Sequence, residues 1–267
     1  MKDSRSVRMV KVGLDFGKGR IPVGRLALRE RRIYFEYEPT FIRQDLEISP
    51  GMLPVKAGVT TFDNSLFEGL PGVFNDSIPD GWGRLLFDRF VQSQGVLPSE
   101  VSPLDRLAFV GSHGLGALVY EPEFDTAVGY GPVCLDSIAS QVQEVLQGSS
   151  DDVLQELLAL NGSSAGARPK ALIGVSENRK QIIHGRSGYT EKFEPWLVKF
   201  PNSQDGLDAG SIEYVYALMA KEAGTAMLFA GSQERLSIKI KRRRIGKGAI
   251  SSRVFLFMIL KPPYVRY

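Results

Sequence analysis

Between residues 9 and 39, three short stretches alternate apolar with polar positions or run apolar: MVKVGLDF, IPVGRLAL and RIYFEYEP. Gly, Lys and Arg separate them. A period of two puts every second side chain on one face, so the pattern predicts three strands joined by tight turns. The next stretch, LEISPGMLPVKAG (46–58), is broken by proline and predicts a loop with an edge strand. The period then lengthens. WGRLLFDRFVQSQ (82–94) has the spacing of an amphipathic helix, follows the turn residues Pro79, Asp80 and Gly81, and is closed by Gly95. A short helix in SPLDRLAFVG and a strand in GALVYEPE complete a module of mixed strands and helices, expected to end near Glu123.

Residues 124–135, rich in Gly and Pro, read as a linker. SIASQVQEVLQ and DDVLQELLAL predict two helices, the second with Asp151 and Asp152 as N-terminal caps. KALIGVS, KQIIHGR and PWLVKFP predict a small antiparallel sheet with a hairpin at Ser176–Arg179. SIEYVYALMAKEAG predicts an amphipathic helix capped by Ser211 and ended by Gly224. The fold class expected is α+β, divided into 1–123, 124–234 and a tail at 235–267. No internal repeat interrupts this order.

Composition changes the picture mainly in the tail. Of the 267 residues, 43% are hydrophobic and 24% charged, as in an ordinary soluble protein. The single cysteine, Cys134, excludes an internal disulfide framework and a multi-thiolate metal site. The first twenty residues hold no apolar run of the secretory type, and VFLFMIL is too short to span a bilayer, so a cytoplasmic protein without membrane contact is expected. Net charge is +3, with 33 basic and 30 acidic residues. Ten of the basic residues lie between Arg235 and Tyr267, where there is no Asp or Glu. Residues 1–234 therefore carry 23 basic and 30 acidic residues, a net of −7. The basic character belongs to the tail and does not make the body a nucleic-acid binder.

Candidate chemistry gathers at NGSSAGARPKALIG (161–174). A loop of Gly and Ser can turn backbone N–H groups around an anion, and Gly166 between Ala165 and Ala167 allows close backbone approach to phosphate. Ser163 and Ser164 could donate hydroxyl bonds. Lys170 stands where the loop becomes a strand. Lys199, in the otherwise apolar WLVKFP, is costly there unless it meets a partner. Protein kinases place such a strand Lys on nucleotide phosphates and hold it with a helix Glu, for which Glu213 is the candidate. The alternative is a plain flexible turn before a strand with one solvated Lys. His113 and His184 lie too far apart for a metal-ligand motif, and Asp in Pro-Asp-Gly is explained by the turn.

FNDSIPDGWGRLLFDRF (74–90), LGALVYEP (115–122), GSSAGARPKALI (162–173), EPWLVKFP (194–201) and EYVYALMAKEAG (213–224) occur in the order seen in HipA-like toxins. Over roughly residues 8–230 the chain resembles these serine/threonine kinases of bacterial type II toxin–antitoxin modules. The resemblance implies a β-rich N-terminal subdomain followed by a kinase N-lobe. It implies that the loop Ala165, Gly166, Ala167, Arg168, Pro169, Lys170 binds ATP, that Lys199 contacts its phosphates, and that Ser163 lies in an autophosphorylated segment. A phosphoserine there would add roughly −1.5 to −2 charge and compete with ATP for the same N–H groups. Implied partners are a HipB-like helix-turn-helix antitoxin, operator DNA through it, and protein substrates phosphorylated on serine.

The resemblance ends after the helix. A kinase needs one Asp to take the hydroxyl proton and another to hold magnesium. The last Asp here is Asp208, and both histidines precede it, so the family's Asp-bearing C-lobe patterns are absent from the 267 residues. A loss of coding frame near residues 230–240, making the tail non-native, is one expectation; a basic arm that binds nucleic acid is the other. On the first, the chain is a truncated kinase with no catalytic residue of its own, weak or lost ATP binding, no metal site, and a need for magnesium only where a C-lobe is supplied. The rival class is a non-catalytic module that docks an antitoxin or a separate kinase chain.

Overall fold

The computed structural model describes residues 6–16, 19–63, 65–114, 116–124, 132–148, 154–161, 166–184, 193–202, 204–205, 209–224, 230–231 and 255–258. The described residues form two compact units. One is drawn from Met1–Thr126 together with Gly166, the other from Ala127–Asn161 and Ala167–Pro263. The fold is α+β in both, with antiparallel sheets.

The first unit opens with the three strands that the alternation predicts: β1 (Met9–Asp15), β2 (Arg20–Arg29) and β3 (Arg32–Tyr37). Val10, Val12 and Leu14 of β1 are buried, as are Ile33, Phe35 and Tyr37 of β3. The β2–β3 turn has Glu30 and Arg31 both at positive φ, 51° and 60°, the handedness that matches strand twist in a two-residue hairpin. Gly24 is needed for close approach: a Cβ there would fall on the Glu36 carbonyl oxygen and within 2.7 Å of the Phe35 ring. After a single-turn helix α1 (Pro39–Ile42), the edge strand β4 (Val59–Thr61) begins just beyond the proline-broken stretch in which an edge strand was expected. Proline and glycine keep that stretch out of the ladder. A second single turn, α2 (Gly72–Asn75), leads to α3 (Gly81–Ser93), α4 (Pro103–Val110) and β5 (Leu118–Glu121). Strand order is β4-β3-β2-β1-β5, so the N-terminal strand lies inside the sheet.

One sheet face packs on α4 through Leu104, Leu107 and Ala108, and on an aromatic group of Phe35, Tyr37, Phe41 and Phe74. Phe35 meets Tyr37 edge-on at 4.7 Å between ring centroids, and Tyr37 stacks on Phe41 at 5.6 Å. The α4 N-terminus is a capping box. Ser102 Oγ accepts the Asp105 N–H at 3.2 Å, and Asp105 Oδ2 accepts the Ser102 N–H at 2.9 Å. The second oxygen, Oδ1, accepts the Val7 N–H at 2.7 Å and fastens the chain start to this helix.

Two buried tyrosines carry a pH dependence. Tyr37 donates its hydroxyl to the Leu53 carbonyl at 2.7 Å, and burial, with Glu47 adding repulsion, pushes its pKa up to about 12. Tyr120 donates to Ser77 Oγ at 2.6 Å, and burial pushes it up further. Above the ordinary tyrosine pKa near 10 the unfolded chain loses these protons while the folded chain keeps them. The unfolded state then binds fewer protons, so stability falls as pH rises from about 10 toward about 12. Urea unfolding at about pH 9 and about pH 11 is expected to show this loss, and Tyr37→Phe to reduce it. An equal loss in Tyr37→Phe would remove Tyr37 from the cause.

The second unit holds α5 (Leu135–Leu146), α6 (Leu154–Asn161), β6 (Lys170–Ser176), β7 (Ile182–His184), β8 (Phe193–Lys199), α7 (Ala209–Glu222), β9 (Ala230–Gly231) and β10 (Phe255–Met258). Strand order is β7-β6-β8-β10-β9. The hairpin falls where expected: Ser176 N–H donates to the Gln181 carbonyl at 3.0 Å, and Arg179 takes φ 57°. The end of the linker is not free chain. Pro132 bridges Ile183, and the Val133 N–H donates to the Ile182 carbonyl. Asp151 and Asp152, expected as caps, lie outside the described residues, as does most of the basic tail. The tail does contribute β10, paired antiparallel to β8. Ser211 is not a cap: α7 begins at Ala209, so Ser211 lies within its first turn. Gly224 does sit past the helix end, at φ 76°. On α7, Ile212, Val215, Tyr216, Leu218 and Met219 are exposed and Ala217 is buried.

Candidate functional site

Antiparallel pairing of β6 with β8 sets Lys170 directly opposite Lys199. Directly paired residues send their side chains to the same face, and like charges so placed repel. Lys170 is 5% exposed, and the β6 strand is buried along its whole length. Two cations thus share one sheet face at the start of β6, where the Gly-Ser loop ends. Pro169 is held there too, its carbonyl accepting the Phe200 N–H at 2.8 Å.

Glu213, in the second turn of α7, meets Lys199. Its Oε2 is 3.1 Å and its Oε1 3.3 Å from Lys199 Nζ. Arg168 Nη1 donates to Glu213 Oε1 at 2.9 Å, and Arg168 Nη2 lies 2.8 Å from Asp205 Oδ1. The structure therefore brings together Lys170, Lys199, Glu213 and Arg168, four residues singled out from sequence, and adds Asp205. Asp205 lies in the polar stretch PNSQDGLDAG (201–210), where nothing in its spacing marks it; its signal is burial, with the side chain 7% exposed. Ala167 is exposed beside Arg168. Ser163, Ser164 and Ala165 lie outside the described residues.

Gly166 belongs to the first unit and has φ 110°, a conformation that favours glycine. Its N–H donates to Asp80 Oδ1 at 2.8 Å, and its carbonyl accepts the Trp82 N–H at 3.2 Å. Asp80, expected from Pro-Asp-Gly to be a turn residue, is the residue before α3, yet its side chain caps no helix N–H and accepts the Gly166 N–H instead. His113 pairs with Glu123 at 2.8 Å, and His184 is buried in the sheet. Among the described residues no group of three or more His, Cys, Asp or Glu could hold a metal ion. Among them, no helix is long and apolar enough to cross a membrane.

Residues 17–121 match the family model of the HipA N-terminal domain. The match lies within the first unit, spans less than half of the chain, and supports a HipA-like relationship. No curated protein matches the chain.

An anion between Lys170 and Lys199 would relieve their repulsion, and Glu213 already restrains Lys199, so phosphate fits the donor set. Magnesium fits it poorly. Among the described residues, the carboxylates of this cluster, Glu213 and Asp205, are both engaged with cationic side chains, whereas magnesium sites use carboxylates free to ligate.

Proposed function

We propose that the chain is a HipA-like kinase-type module in which Lys170 and Lys199 hold ATP phosphates at the end of the loop 165–170, with Glu213 positioning Lys199. The observation that carries this is the register of β6 and β8, which opposes the two lysines beside a Gly-rich loop. Bound ATP would supply a phosphoryl group for transfer. The chain's own residues supply positive charge and restraint, and the described carboxylates near Lys199 serve ion pairs rather than proton abstraction. With no Asp beyond Asp208, these 267 residues are assigned nucleotide holding without phosphoryl transfer.

The family match on the first unit favours a docking role for that unit, with a HipB-like antitoxin as partner and operator DNA reached through it. Protein substrates phosphorylated on serine, a toxin–antitoxin setting and a cytoplasmic location complete the proposal. Incubation of the purified chain with radiolabelled ATP and magnesium is expected to give no incorporation, at Ser163 or elsewhere. Titration with ATP is expected to give weak, salt-sensitive binding. Incorporated label would overturn the assignment of holding without transfer, and absence of binding at low salt would overturn the phosphate role.

A further inference from the structure

We infer that Arg168 and Asp205 are positioning residues that set Lys199 through Glu213, an inference that rests on the phosphate-holding role proposed above. Four charged side chains of the second unit form one sequence of contacts: Asp205, Arg168, Glu213, Lys199. Asp205 is its fixed end. Its Oδ2 accepts the Asn202 N–H at 2.9 Å, and its own N–H donates to the Asn202 carbonyl at 3.3 Å. A second bond, from the Gln204 N–H to Asn202 Oδ1 at 2.8 Å, tightens the same turn. A buried carboxylate demands a charge partner, and Arg168 Nη2 meets that demand.

A guanidinium is a rigid planar fork, so satisfying Asp205 with Nη2 leaves Nη1 to reach Glu213. Arg168 then engages only Oε1 of Glu213, at 2.9 Å, while Lys199 holds Oε2 at 3.1 Å and shares Oε1 at the longer 3.3 Å. Asp205 thus decides how one carboxylate is divided between two cations. Without its charge, both guanidinium nitrogens can turn to Glu213 in the bidentate geometry that Arg prefers, and the ammonium of Lys199 is displaced. Arg168, expected from the resemblance to bind ATP, acts here by holding the residue that holds Lys199.

Acetylation of the full chain by an N-hydroxysuccinimide ester, read at Lys199 by peptide mass spectrometry, tests this. Glu213→Gln is expected to speed labelling of Lys199 by about fivefold, and Asp205→Asn by a similar factor, the scale of one part-buried ion pair. In the double variant Asp205→Asn with Arg168→Gln the competitor is gone, so labelling is expected to return to within about twofold of the native rate. A purely structural loss at the 202–205 turn would not be repaired by removing Arg168. Native labelling in Asp205→Asn, or a double variant that labels as fast as Glu213→Gln, would overturn the inference. Should Asp205→Asn not fold, the double variant compared with Glu213→Gln decides, since neither leaves a buried carboxylate without its cation. ATP added to the native chain is expected to protect Lys199. Labelling indifferent to ATP would refute phosphate holding, while the pattern across variants still judges the positioning.

Discussion

Asp105→Ala is expected to lower the unfolding free energy by about 3 kcal/mol, because two backbone N–H groups and the Ser102 hydroxyl are left without their acceptor while the Ser102 cap itself remains. Its side chain serves Val7, the Ser102 backbone and the Ser102 hydroxyl at once. The residue is 9% exposed, so water is poorly placed to replace it. Asp105→Asn keeps one acceptor oxygen and is expected to cost about 1 kcal/mol. Chemical denaturation followed by circular dichroism measures both. A loss below about 1 kcal/mol in Asp105→Ala would show that the freed amides find water after all.

The second large effect concerns Lys199. Lys199→Met is expected to weaken ATP binding about tenfold to a hundredfold, the worth of a charge-assisted bond to phosphate. The same change removes the repulsion between Lys199 and Lys170 as well as the part-buried pair with Glu213, two small opposing effects, so the melting temperature is expected to hold nearly steady. That split matters, because a variant that merely disrupted the sheet would lose affinity and stability together. Calorimetric titration with ATP and a thermal melt on one preparation read both quantities. Native affinity in Lys199→Met would place the phosphates elsewhere.

The two halves of the fold were unequally legible. Period-two burial in β1 and β3, and Gly95 at the end of α3, are local signals, and local signals survive in a single sequence. Ser211 misled because a Ser ahead of an apolar run reads as a cap wherever it stands, while the α7 backbone starts two residues earlier. β10 was hidden within a tail whose charge dominates its composition, though Phe255–Met258 alone has the character of a strand. At the site, Lys199 and Glu213 lie only 14 positions apart and were paired by general kinase chemistry, a strand Lys held by a helix Glu. Lys170 opposite Lys199 depends on strand register, which no single strand encodes by itself. Asp80 reaches Gly166 across 86 positions, and its own neighbours, Pro79 and Gly81, explained it too readily as a turn residue.

The strand order β2-β1-β5 has a consequence for synthesis of the chain. β1 is made well before β5, and β2 can fold back on it at once as a hairpin. Its other edge waits for Leu118–Glu121, more than a hundred residues later. At a translation rate of about 5–20 residues per second, that edge stays open for roughly 5–20 s. The Val7 amide waits almost as long for Asp105. For that interval the nascent chain presents an unpaired strand edge carrying alternate Val and Leu side chains, guarded by the charges of Lys11 and Asp15. The ribosome-bound chain, rather than the finished protein, is where this fold is most exposed to aggregation.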